Sequence, residues 1–207
     1  MTPSSSLSVY IGPAVHPAFA FRGCLMPHGP MNPFFTIGHS TRTIEEFAAL
    51  LQQSEIRHLV DVRTVPRSRT NPQFNLDAME GNLAPYQITY RHIAQLGGLR
   101  GRQKQVESSA NALWRNQSFR NYADYAQTAK FRSGLDELIE VGETGRTAMM
   151  CAEAVWWRCH RRIIADNLLA RGFEVFHIMG EGNVPPATLT PGAVCRDGGV
   201  LYPPVEA

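Results

Sequence analysis

The sequence predicts a single α/β domain, a mainly parallel sheet flanked by helices. Three observations carry this. An apolar strand, an amphipathic helix and a second apolar strand follow one another between Pro33 and Arg63. The same order recurs between Thr147 and Met179. Two strands joined through a helix form a βαβ unit, and such units build parallel sheets. Finally, 207 residues at 43% hydrophobic and 18% charged suit one domain with one sizeable core.

The elements follow in order. Residues 1–30 are rich in Ser, Pro and Gly and lack periodicity, so they read as a loose N-terminal tail. Met31 stands just before the first apolar run, which makes it an alternative start to Met1. The domain is expected over residues 31–183. It opens with the strand Pro33-Phe34-Phe35-Thr36-Ile37-Gly38, turning at His39-Ser40. Ser40 or Thr41 is placed to cap the next helix, with Glu45 and Glu46 in its first turn and Phe47, Leu50 and Leu51 at helical spacing. Arg57 to Arg63 reads as a buried strand ending in charge. Residues 64–86 hold three prolines and few apolar repeats, and form a long excursion of the kind that often carries function. A further strand is expected from Gln87 to Ile93, then Leu96-Gly97-Gly98. Polar residues 99–117 read as a lid or surface segment. Phe119 to Ile139 is helical, with Gly134 dividing two helices. Thr147–Cys151 is a short buried strand, 159–171 a helix ended by Gly172, and Phe173–Met179 the last strand. Residues 184–207 are expected to be an irregular C-terminal tail.

Composition bounds the function. No apolar run approaches the ~18 residues of a membrane span, and no basic-then-apolar leader begins the chain. The spacing of Cys24, Cys151, Cys159 and Cys195 is unlike a secreted disulfide framework. Reduced thiols in a cytoplasmic protein are therefore expected. The net charge of +2 is too small to imply nucleic acid. Eighteen of the 20 basic residues are arginine, which a compositional bias explains and which local clustering alone could turn into anion recognition.

Three constellations could carry chemistry. The first runs from Cys151 through Glu153 and Arg158 to Cys159-His160-Arg161. Open parallel sheets bind ligands at the carboxyl ends of their strands. A cysteine there, facing a helix N-terminus, lies near unpaired N–H groups and a positive dipole end, which favours a reactive thiolate. The plain structural reading is a pair of buried thiols that act as small hydrophobes. A metal held by Cys151, Glu153, Cys159 and His160 is a further alternative. Adjacent helical residues point about 100° apart, which argues against Cys159 and His160 sharing one ion. The second constellation is Asp61, Arg63, Arg67 and Arg69 with Thr64 and Ser68, suited to a phosphate, sulfate or carboxylate. The third is His39-Ser40, with Tyr90 and His92 on the same rim. Trp156 and Trp157 read as loop packing or as a platform for a ring.

Taken in order, Thr36-Ile37-Gly38-His39-Ser40, Val60-Asp61-Val62-Arg63 with Pro66-Arg67-Ser68-Arg69, Tyr90-Arg91-His92 with Leu96-Gly97-Gly98, and Cys151-Ala152-Glu153 followed by Cys159-His160-Arg161 resemble a bacterial family called domain of unknown function 488. The resemblance spans about residues 34–180 and implies an α/β fold without an activity. A more distant similarity is to rhodanese-like sulfurtransferases and cysteine phosphatases, which implies rhodanese-like or Rossmann-like layering. There an Asp-Val-Arg strand likewise follows the first helix, and a nucleophilic cysteine lies between strand and helix. Those enzymes bind their substrate in a tight loop, often with glycine. Here the six residues between Cys151 and Arg158 include no glycine.

The reading that results is an enzyme acting on a small anionic substrate through a cysteine-centred site. Cys151 is the expected nucleophile, Arg158 its stabiliser, and Glu153 or His160 the proton-handling group. His39, Ser40, Asp61, Arg63, Arg67, Arg69, Tyr90 and His92 are the expected substrate contacts. No cofactor or membrane partner is expected. The rival is a nucleotide or nucleic-acid binder using the arginines of 63–69 and 100–115.

Overall fold

A computed structural model describes residues 32–107, 109–196 and 198–204. The N-terminal tail, Cys24 and the alternative start at Met31 lie outside the described residues. Five parallel strands form the sheet: β1 (Phe34–Gly38), β2 (His58–Asp61), β3 (Thr89–His92), β4 (Thr147–Cys151) and β5 (Val175–Ile178), in the spatial order β3-β2-β4-β1-β5. The central strands β1 and β4 are buried at every residue, as expected of strands covered on both faces. Edge strand β3 is buried nowhere along its length.

Five helices cover the two faces: α1 (Ile44–Gln53), α2 (Leu76–Leu83), α3 (Gln117–Tyr125), α4 (Ala129–Glu143) and α5 (Arg161–Ala170). Side-chain alternation along the strands splits the core in two. Phe35, Ile37, Leu59, Ala148 and Met150 pack with Phe47 and Leu51 of α1 and Met79 and Leu83 of α2. Phe34, Val60, Met149 and Cys151 face the other way, among Tyr122 of α3, Phe131, Leu135 and Leu138 of α4, and Ile163, Ile164 and Leu168 of α5. Among the described residues, no helix is long and apolar enough to cross a membrane.

Several boundaries differ from the sequence reading. The cap of α1 is Thr43, not Ser40 or Thr41. Its side chain accepts from the Glu46 N–H while the Glu46 carboxylate accepts from the Thr43 N–H, a reciprocal capping box. The 64–86 excursion holds α2 and flanking 3-10 turns. Gly134 does not divide two helices. It lies inside α4, where a Cβ would press on Gln95, and the break falls at Ala126–Thr128, where the Thr128 hydroxyl caps α4. The segment from 184 onward is not wholly irregular. It contains the hairpin β6 (Val194–Arg196) and β7 (Gly199–Leu201), and it buries Val200 and Tyr202 against the α3–α5 side. The Tyr202 hydroxyl donates to Asp166 of α5 at 2.8 Å.

Candidate functional site

The strand order places the carboxyl ends of β1, β2 and β4 side by side, which gathers all three constellations on one rim. The chain leaving β1 zips onto the chain leaving β4: His39 N–H donates to the Cys151 carbonyl at 2.9 Å, and Ser40 N–H to the Ala152 carbonyl at 3.1 Å. Gly38 makes this crossing possible, because a Cβ there would land on the Glu153 carbonyl. Ser40 itself adopts a left-handed backbone with φ 52°.

Beside this seam lies a cavity of about 460 Å³. Cys151, Cys159 and His160 border it with Ala152, Glu153 and Arg158 from the β4–α5 loop, Arg63 to Val65 from the loop after β2, and Gly98, Leu99, Ser118, Phe119 and Tyr122. Gly97 and Gly98 bring the 96–99 turn close: a Cβ on Gly97 would lie 2.8 Å from Thr64 Cα, and one on Gly98 2.5 Å from His160 Nδ1.

The polar groups converge on Cys159 rather than on Cys151. Cys151 Sγ lies 2.8 Å from Cys159 Sγ. His160 Nδ1, the backbone N–H of Arg161 and Arg161 Nε each lie 3.4 Å from Cys159 Sγ. His160 Nε2 is 2.8 Å from the Val62 carbonyl. A carbonyl only accepts, so Nε2 carries a hydrogen, and Nδ1 faces the sulfur, where it accepts from a thiol or, once protonated, donates to a thiolate. Burial alone would raise the Cys159 thiol, but the bond from Cys151 and the nearness of His160 and Arg161 outweigh it and hold the group well below the usual thiol range. Burial and donation to Cys159 push the Cys151 thiol well above that range. Of the two, Cys159 is therefore the sulfur whose surroundings favour the charged form, and Cys151 the one whose surroundings favour the thiol.

Arg161 makes the same point from the other partner. It is 1% exposed, and no carboxylate pairs with it among the described residues. A guanidinium does not lose its proton in a protein, and a buried cation needs an anion or a full set of acceptors. Its Nη2 donates to the Glu153 carbonyl at 2.6 Å, and its Nε meets Cys159.

The second constellation forms a clamp. Asp61, fully buried, accepts from Arg63 N–H and Arg63 Nε at 2.9 Å and from the Tyr90 hydroxyl at 2.7 Å. Arg63 also donates to the Phe74 carbonyl, and its Nη1 lies 3.3 Å from His39 Nε2. His39 stacks on Phe74 at 4.3 Å and lies 2.8 Å from the Ser40 carbonyl through Nδ1. Burial, with the positive charge of Arg63, brings its pKa down to about 4. His92 Nε2 lies 2.8 Å from the Arg63 carbonyl. Tyr90, His92 and His39 therefore hold the floor of the rim and do not border the cavity. Arg67 and Arg69 are exposed on the loop beyond, and they do not border it either.

Arg158 and Glu153 are exposed at the cavity, and no salt bridge engages either among the described residues. Glu153 acts inward through its backbone, its N–H 3.3 Å from Cys151 Sγ. Trp156 packs the loop by stacking on His177 of β5 at 4.2 Å, while Trp157 is exposed. No group of three or more His, Cys, Asp or Glu among the described residues is placed to hold a metal ion. Sequence reasoning missed the cavity walls Val65, Leu99, Phe119 and Tyr122. It also marked Arg161 as a member of the first constellation without giving it a role of its own. The signal for Cys159 was present in Cys159-His160-Arg161 at the start of α5.

A family model described as Domain of unknown function DUF488 matches residues 43–168, and the chain belongs to that family. The match runs from the cap of α1 into α5, and so includes Asp61, Arg63, Phe74 and Tyr90 of the clamp and both Cys151 and Cys159, while His39 lies just before it. No curated protein and no solved structure matches the chain, and the likeness to rhodaneses and cysteine phosphatases gains no support there.

Proposed function

We propose that this member of the family is an enzyme that uses the Cys159 thiolate as its nucleophile, with Cys151 as the thiol that donates to it. The observation that carries this is Arg161: a buried guanidinium with no carboxylate partner among the described residues, whose Nε lies 3.4 Å from the Cys159 sulfur. A structural pair of neutral thiols would leave that cation uncompensated. The first backbone N–H of α5 points at the same sulfur, as expected of a thiolate at a helix N-terminus. His160 Nδ1 stands where it can take the thiol proton and later return it.

The cavity bears on the substrate. Its walls at Val65, Leu99, Phe119 and Tyr122 are apolar or aromatic, and Arg158 at its edge has no acidic partner among the described residues. This supports a small substrate with a negatively charged group that meets Arg158 and an apolar part set against the walls. Asp61, Arg63, His39, Tyr90 and His92 serve as positioning residues in this reading, since they fix the loop that carries Thr64 and Val65.

Alkylation of the native protein by iodoacetamide at pH 6, mapped by mass spectrometry, tests the reading. Cys159 should react on the order of tenfold to a hundredfold faster than an ordinary thiol, and Cys195 slowly. Reaction of Cys159 only after denaturation would sink the proposal. In a substrate screen, Cys159→Ser should remove any turnover found for the wild type.

A further inference from the structure

The proposed chemistry needs one nucleophile and gives Cys151 no bond to make. Yet Cys151 Sγ stands 2.8 Å from Cys159 Sγ, and a disulfide needs about 2.05 Å. Bonding would therefore draw the sulfurs together by less than an ångström. The pair is also unequal. Cys159 gathers the groups that stabilise a thiolate, and Cys151 offers a second thiol in contact with it. Both sulfurs belong to residues only 3% exposed that line the cavity, a setting that suits a small oxidant better than a protein disulfide.

We infer that Cys151 is the resolving partner of Cys159, and that hydrogen peroxide converts the two into an intrachain disulfide that reversibly shuts the site. The inference rests on the thiolate reading of Cys159. In the first step the Cys159 thiolate attacks one peroxide oxygen. An S–O bond forms, the O–O bond breaks, and the departing hydroxide takes the Cys151 proton and leaves as water. In the second step the Cys151 sulfur attacks the Cys159 sulfenic sulfur. An S–S bond forms, the S–O bond breaks, and the oxygen leaves as a second water with the proton first lost by Cys159. Two thiols and one hydrogen peroxide thus give one disulfide and two waters, and a dithiol reductant reverses the change. Without a resolving thiol in contact, the sulfenic acid would be open to further, irreversible oxidation.

The test treats the full chain with a small excess of hydrogen peroxide, blocks remaining thiols under denaturing conditions and maps the peptides. Trypsin cuts after Arg158 and separates the cysteines, so a disulfide appears as two linked peptides that have lost two hydrogens. The expected result is this linkage, released by dithiothreitol, with Cys195 still open to alkylation. Native alkylation of Cys159 should vanish on oxidation and return on reduction. In Cys151→Ser, Cys159 should be trapped by dimedone as sulfenic acid and then pass to sulfinic acid. Wild-type Cys159 that alkylates rapidly at pH 6 but oxidises to sulfinic acid, links instead to Cys24 or Cys195, or fails to oxidise overturns the inference and leaves the nucleophile standing. Slow alkylation at pH 6 overturns both. The wild-type map decides even if the variant does not fold.

Discussion

In the proposed site a single residue, Arg161, sets the chemistry. Its guanidinium spans the Glu153 carbonyl and the Cys159 sulfur, so it fixes the loop and the charge together. Arg161→Met should raise the Cys159 thiol and slow alkylation at pH 6 by on the order of tenfold or more. Arg161→Lys keeps the charge but lacks the fork that reaches both partners, and should fall between. Circular dichroism separates this effect from unfolding. Much of the residue-scale picture was legible. Cys151, Arg158, His160 and Glu153 were all marked, because chemistry-bearing types crowd one strand-to-helix junction. What sequence could not rank was Cys159 against Cys151. That depends on which sulfur the Arg161 side chain and the α5 N–H face. Nor could it show that Arg63 is engaged by Asp61, Phe74 and His39 rather than open to a substrate.

Among the elements, the close loops decide the site's shape. Gly98 lets the turn after β3 rest against His160, and His160 in turn is held by the Val62 carbonyl. Gly98→Ala should push the imidazole away from Cys159. The expected outcome is slower alkylation at pH 6 with on the order of 1–3 kcal/mol lost in urea unfolding. Unchanged alkylation would show that His160 does not act on the thiol. Strands and helices with long apolar patterns were readable: β1, β4 and α5 stand where their burial pattern put them. Helix α2 was not, since only Met79 and Leu83 of its eight residues are buried and the flanking prolines read as loop. The break between α3 and α4 was misplaced because Gly134 looks like a breaker, whereas it is a contact point for Gln95.

The whole molecule stacks helices on both faces of one sheet, and that layering was legible from two βαβ units. The strand order was not, because β4 slots between β2 and β1, pairing with strands some ninety and more residues earlier in the chain that no local pattern points to. Closure by the C-terminal hairpin was equally hidden, since Val200 and Tyr202 sit among glycines and prolines. Burial across the sheet has a consequence for acid stability. His39 and His177 are both held at about 4 by desolvation, against about 6.5 in the unfolded chain. Between those values the unfolded state binds the extra protons, so stability falls as pH drops from about 6.5 and levels off near 4. Urea midpoints at pH 7 and pH 5 should show the loss, and His177→Gln should roughly halve it. Asp166, whose carboxyl burial raises, acts in the opposite sense in both proteins and cancels in the comparison.

The seclusion of Arg161 also bears on whatever becomes bonded to Cys159. Any neutral adduct removes the counter-charge and strands a cation in the interior, where breaking a buried ion pair costs about 3–5 kcal/mol. Carbamidomethylation of Cys159 should therefore lower the melting temperature on the order of ten degrees. A covalent intermediate would feel the same pressure. The protein would hold its adducts loosely, and the departing group would be expelled by the return of the thiolate to its partner.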